Sequence, residues 1–110
     1  MAATFTESDS GKTVSIVVGA RFTVELQENP TTGYKWARPD FDAKLLSLES
    51  DAYVLAEGTG IGGGGSHSFL FLAKACGETT IRFEYKRPWE RGVAPESRFE
   101  LTVVVSEKAV

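Results

Sequence analysis

The feature that most constrains this chain is an alternation of apolar and polar side chains with a period of two. Val14, Ile16 and Val18 alternate with Thr13, Ser15 and Val17, and Phe22, Val24 and Leu26 alternate with Thr23, Glu25 and Gln27. Farther on, Ile81, Phe83 and Tyr85 alternate with Arg82, Glu84 and Lys86, and Phe99, Leu101, Val103 and Val105 with Glu100, Thr102 and Val104. In a strand, successive side chains point to opposite faces, so each run gives one apolar and one more polar face. The segment from Ser68 to Ala73 is apolar on both faces and suits a strand with its outer side partly covered. Strands are expected near 12–18, 21–27, 34–38, 52–57, 67–74, 79–86 and 98–106. Short strands at this spacing, with no convincing helix, point to an all-β fold of about seven antiparallel strands, a sandwich or a barrel.

Turn residues punctuate the runs. Gly19-Ala20 reads as a tight hairpin between the first two strands, Asn29-Pro30 ends the second, and Pro88, Gly92 and Pro95 separate the last two. In an antiparallel chain every second connection lies at the same end. The connections 28–33, 58–66 and 87–97 are the second, fourth and sixth, so they should cluster. The count requires residues 39–57 to supply one net strand. Leu45 to Leu48 reads either as a short strand or as one helical turn.

The 110 residues are expected to form a single domain, residues 1–110, long enough to bury a core without disulfides or metal. The net charge of −3 speaks against nucleic acid, because the arginines and lysines between 82 and 98 are interleaved with glutamates. No stretch approaches the roughly 20 apolar residues of a membrane-spanning helix. The polar segment from Met1 to Lys12 has no apolar core of signal-peptide length, so no export signal is expected; cytoplasmic and vesicular or lysosomal locations both fit.

The three connections are compositionally unusual. The first reads Asn29-Pro30-Thr31-Thr32-Gly33-Tyr34. Proline fixes its own φ at about −65° and biases the preceding residue to extended conformations. Gly33 tolerates positive φ, and the threonine hydroxyls can bond neighbouring backbone. These properties favour a rigid wedge, although an ordinary inter-strand turn would use the same residues. The second connection runs from Gly58 to Ser66 and includes Gly62, Gly63, Gly64 and Gly65. It contains two overlapping G-x-G-x-x-G matches, but an aromatic strand rather than a helix follows, so a dinucleotide site is rejected. Bare backbone of this kind can pair with the backbone of a partner, or simply form a surface loop. The third connection contains Arg87-Pro88-Trp89. Tryptophan and arginine are enriched at binding hot spots, but a tryptophan here could also fold back over the end of the core.

Catalytic machinery is not evident. His67 is the only histidine and Cys76 the only cysteine. They lie nine residues apart on one strand, roughly 30 Å at strand rise, and cannot meet as a nucleophile and base. No metal-ligand spacing is recognisable, and no cofactor is implied. Cys76 is expected to be a small core residue and His67 a rim residue beside the glycine loop. The chain is not expected to be an enzyme.

The three loop motifs, in this order and at these distances, resemble those of the chagasin-type inhibitors of cysteine peptidases. The resemblance covers nearly the whole chain. It implies an immunoglobulin-like sandwich that reversibly inhibits papain-like, cathepsin-like enzymes, as a monomer forming a 1:1 complex. The loop Asn29–Gly33 would enter the active-site cleft, with Thr31 and Thr32 over the catalytic cysteine and histidine of the enzyme. Residues 58–66 would flank the cleft and pair through their main chain. Arg87, Pro88 and Trp89 would grip the other side, with Trp89 on aromatic residues of the enzyme. The alternative reading is an immunoglobulin-like binding module for a carbohydrate or another protein.

Overall fold

The computed structural model describes residues 3–29, 32–55 and 64–107, apart from the side chain of Leu55. Among these residues there are eight strands: β1 (Ala3–Phe5), β2 (Thr13–Val17), β3 (Arg21–Glu28), β4 (Lys35–Trp36), β5 (Leu46–Leu55), β6 (Gly65–Ala73), β7 (Gly77–Lys86) and β8 (Ser97–Ser106). One short 3-10 turn, Glu7–Asp9, joins β1 to β2. The strands form two four-stranded sheets, ordered β1-β3-β6-β5 and β2-β8-β7-β4.

The alternation places one residue set of each strand between the sheets. Phe22, Val24 and Leu26 of β3 and Phe69, Phe71 and Ala73 of β6 meet Ile81 and Phe83 of β7 and Phe99, Leu101 and Val103 of β8. Aromatic rings form the centre. Phe22 stacks on Phe71 at 5.2 Å, and Phe83 lies 4.7 Å from Phe69 and 5.8 Å from Phe99 between ring centroids. Phe22, Phe71, Phe83 and Phe99 are almost wholly inaccessible to solvent. Truncating one such ring to alanine typically costs about 3–5 kcal/mol, which makes this cluster the main stabilising element. On β6, flanked by β3 and β5, the outward-facing Leu70 and Leu72 are half-buried, in keeping with its two apolar faces.

Several expectations are corrected. The sandwich is not purely antiparallel: β1 runs parallel to β3, and β2 parallel to β8. Three-residue β1 is too short to reveal itself by alternation. Gly19-Ala20 does not close a hairpin, because β2 and β3 belong to different sheets. The Val18 amide still donates to Ser106 beside β2, whereas the Gly19 amide donates to Ala73 at the end of β6. The chain therefore changes sheets at Gly19, whose φ of +90° suits a residue without a side chain. The segment around Leu45–Leu48 contains both alternatives in succession. The amides of Leu45 and Leu46 bond to the Asp42 carbonyl in one turn, and Leu46 then begins β5. β5 continues past a bulge between Leu48 and Ser50 as one ten-residue strand. Among the described residues, 39–55 thus contribute one long strand, as the parity of the connections requires. Cys76 is exposed rather than in the core, since it lies beyond the last inward position of β6.

Candidate functional site

Strand register brings the three connections to one end. Glu28 at the end of β3 pairs with Gly65 at the start of β6, which also pairs with Leu55 at the end of β5. In the other sheet Lys35 pairs with Lys86, and Tyr85 with Ser97. The wedge loop leaves the first sheet after Glu28 and enters the second at Lys35, so it bridges the mouth of the sandwich. Gly65 and Ser66, expected within the second loop, are the first residues of β6, and Gly65 is buried. The sequence-predicted residues Pro30, Thr31, Gly62 and Gly63 lie outside the described residues, as does most of the second loop.

The described part of the wedge is tied to itself. The Thr32 amide and hydroxyl both donate to the Asn29 carbonyl, at 3.2 and 2.8 Å. The Tyr34 amide donates to the Thr32 hydroxyl at 3.2 Å. Gly33 has a φ of +81°, in the region that favours glycine. The wedge is also tied to the sandwich, because the Asn29 amide donates to the Tyr85 hydroxyl at 3.1 Å. Tyr34 stacks on Tyr85, and Tyr85 in turn contacts Trp36, so a short aromatic column supports the loop from the second sheet.

The third loop grips the first. The Arg87 guanidinium donates through Nε to the Thr32 carbonyl at 3.2 Å and lies 4.4 Å over the Tyr34 ring. Trp89 is 68% exposed, yet the edge of its indole stands directly over Gly33. It neither caps the core nor projects freely; it leans on the wedge and leaves one face to solvent. Pro88 lies in the turn closed by the bond from the Glu90 amide to the Arg87 carbonyl. At the stem of the second loop, Gly64 passes so near the Glu28 carbonyl that a Cβ would lie 3.3 Å from it.

A polar cluster, buried at Glu28 and His67 and half exposed at Asp51, underlies these loops. Glu28 is 6% exposed, and its carboxylate accepts the Trp36 amide at 2.9 Å. The same carboxylate faces His67 Nδ1 at 3.2 and 3.3 Å, while His67 Nε2 faces Asp51 of β5 at 2.6 Å. The imidazole stacks on Phe69 at 4.3 Å. His67 is therefore a buried residue under the loops and not a rim residue. Its inward position could be read from its phase with Phe69 and Phe71. Glu28 likewise continues the inward series Phe22, Val24, Leu26, and a carboxylate there implies a buried partner. Trp36 adds a further tie, donating from Nε1 to the Gln27 carbonyl at 2.8 Å.

Among the described residues no cluster of three or more histidine, cysteine, aspartate or glutamate side chains could hold a metal ion. The arrangement is suited to presenting a rigid surface. The chain matches, over residues 15–103, the model of the chagasin family of peptidase inhibitors, I42. It is 27% identical over 99 residues to chagasin of Trypanosoma cruzi, covering 86% of this chain and 89% of that protein. The crystal structure of the cysteine protease inhibitor EhICP2 from Entamoeba histolytica superposes with a TM-score of 0.87 at 28% identity, over 96% of this chain and 97% of that one. A more distant likeness in fold is PbICP-C, solved in complex with falcipain-2, with a TM-score of 0.58 at 20% identity over 96% and 92% of the two chains. With its immunoglobulin-like sandwich and its loops gathered at one end, the chain belongs to the chagasin family of peptidase inhibitors, protein inhibitors of cysteine peptidases and not enzymes.

Proposed function

We propose that the loops 29–33, 58–66 and 87–97 jointly plug the active-site cleft of a papain-like cysteine peptidase, in a reversible 1:1 complex. The wedge Asn29–Gly33 lies over the catalytic centre of the enzyme, the glycine loop pairs main chain along one side, and Arg87, Pro88 and Trp89 hold the other. Substrate is excluded sterically, without a covalent bond. The complex of PbICP-C with falcipain-2 supports a target of this class.

The observation that carries the reading is the contact of the third loop with the first, through Arg87 on the Thr32 carbonyl and Trp89 on Gly33. A surface already assembled in the free protein loses little conformational entropy on binding. An interface of standard size buries about 800 Å² on each partner, within reach of three adjacent loops. The bond from the Thr32 amide to the Asn29 carbonyl ties the ends of the wedge together, which supports resistance to cleavage.

Titration of a papain-like enzyme of known active-site concentration tests this directly. Activity should fall linearly to zero at one equivalent of inhibitor and return on dilution. Full activity at micromolar inhibitor would refute the reading.

A further inference from the structure

We propose that Glu28, His67 and Asp51 act as positioning residues that set the wedge loop and the glycine loop at a fixed angle to one another; this rests on the three-loop reading above. Glu28 is the last residue of β3, immediately before Asn29. Its carboxylate accepts the amide of Trp36, on the first strand after the wedge. One side chain therefore joins both stems of that loop, across the gap between the sheets. The same carboxylate meets His67 on β6, the strand that leaves the glycine loop. The other ring nitrogen of His67 meets Asp51 on β5, the strand that enters it. Four strands framing two of the three loops are thus connected through three side chains.

Their placement argues for orientation rather than stability. Positions 28 and 67 continue the inward series of Phe22, Val24 and Leu26 and of Phe69 and Phe71, where an apolar side chain would extend the core. Buried ionic groups replaced by well-packed apolar residues often leave stability unchanged or raised. Apolar contact, however, is non-directional. A carboxylate and an imidazole fix bond direction, and the two ring nitrogens of His67 lie against Glu28 and Asp51 at once. Gly64, packed close to the Glu28 carbonyl, contributes no side chain to this task.

The test uses the full chain against one papain-like enzyme, with thermal unfolding and the dissociation rate read on each variant. Glu28→Leu combined with His67→Leu leaves the Trp36 amide without its acceptor and should unfold somewhat lower than the parent, while dissociating about tenfold faster or more, the range expected when preorganisation is lost. Glu28→Gln keeps the acceptor for the Trp36 amide and should recover most of the loss. If the parent inhibits and the folded double variant dissociates at the parent's rate, the positioning role is overturned while the three-loop reading stands. If the parent itself fails to inhibit, the three-loop reading falls first. If the double variant does not fold, Glu28→Gln paired with His67→Gln decides: faster dissociation at retained unfolding temperature supports the role, and an unchanged rate overturns it.

Discussion

Trp89 stands over Gly33 so closely that a Cβ on residue 33 would lie 2.5 Å from the indole Cη2. The loop that crosses between the sheets and the loop of the β7–β8 hairpin are thereby fitted to each other. Gly33→Ala would meet both this contact and a φ of +81° that alanine adopts only with strain. Such strain costs about 1–3 kcal/mol. Inhibition should weaken by roughly five- to 150-fold, at about 1.4 kcal/mol per factor of ten. A tight-binding inhibition assay checks this, and an unchanged inhibition constant would show that the fit of Trp89 on Gly33 is not used in binding.

Trp89→Ala should act on the complex and hardly at all on the fold, since the side chain is 68% exposed. Loss of a hot-spot tryptophan typically costs about 2 kcal/mol or more. The change should appear as dissociation roughly thirtyfold faster, with association little altered. Surface plasmon resonance separates the two rates, and an unaltered dissociation rate would exclude an anchoring role.

Tyr85→Phe removes the hydroxyl that accepts the Asn29 amide while keeping the ring beneath Tyr34 and beside Trp36. A part-buried amide left without this acceptor costs about 1–3 kcal/mol. The variant should unfold at slightly lower denaturant concentration and inhibit several-fold less well. Urea unfolding alongside the inhibition assay would show whether the two losses occur together.

Cys76→Ser should leave both inhibition and stability within about 0.5 kcal/mol of the parent, as for most surface substitutions away from structural features. Cys76 is exposed and separated from the loop cluster by the length of β6. Any loss of inhibition in this variant would show that the thiol takes part in the activity.

Several features of this protein were legible from local pattern. Period-two alternation identified β2, β3, β7 and β8, and a run apolar on both faces identified β6, which together hold most of the buried residues. Pro, Gly, Trp and Arg marked the loops, because turns and binding surfaces require those side chains. The same phase could have placed Glu28 and His67 inside, but the expected strand ending at residue 27 stopped one position short of Glu28, and His67, first on its expected strand, read as a rim residue beside the glycine loop.

The sequence by itself determined most of the strands, which faces are apolar and which connections are chemically unusual. Tertiary structure alone decided that β2 joins β8 rather than β3, that the chain changes sheets at Gly19, and that Arg87 and Trp89 close on Thr32 and Gly33. The physical reason is that alternation carries phase but no partner. Thr13 pairs with Thr102 far along the chain, a partner that no local pattern specifies.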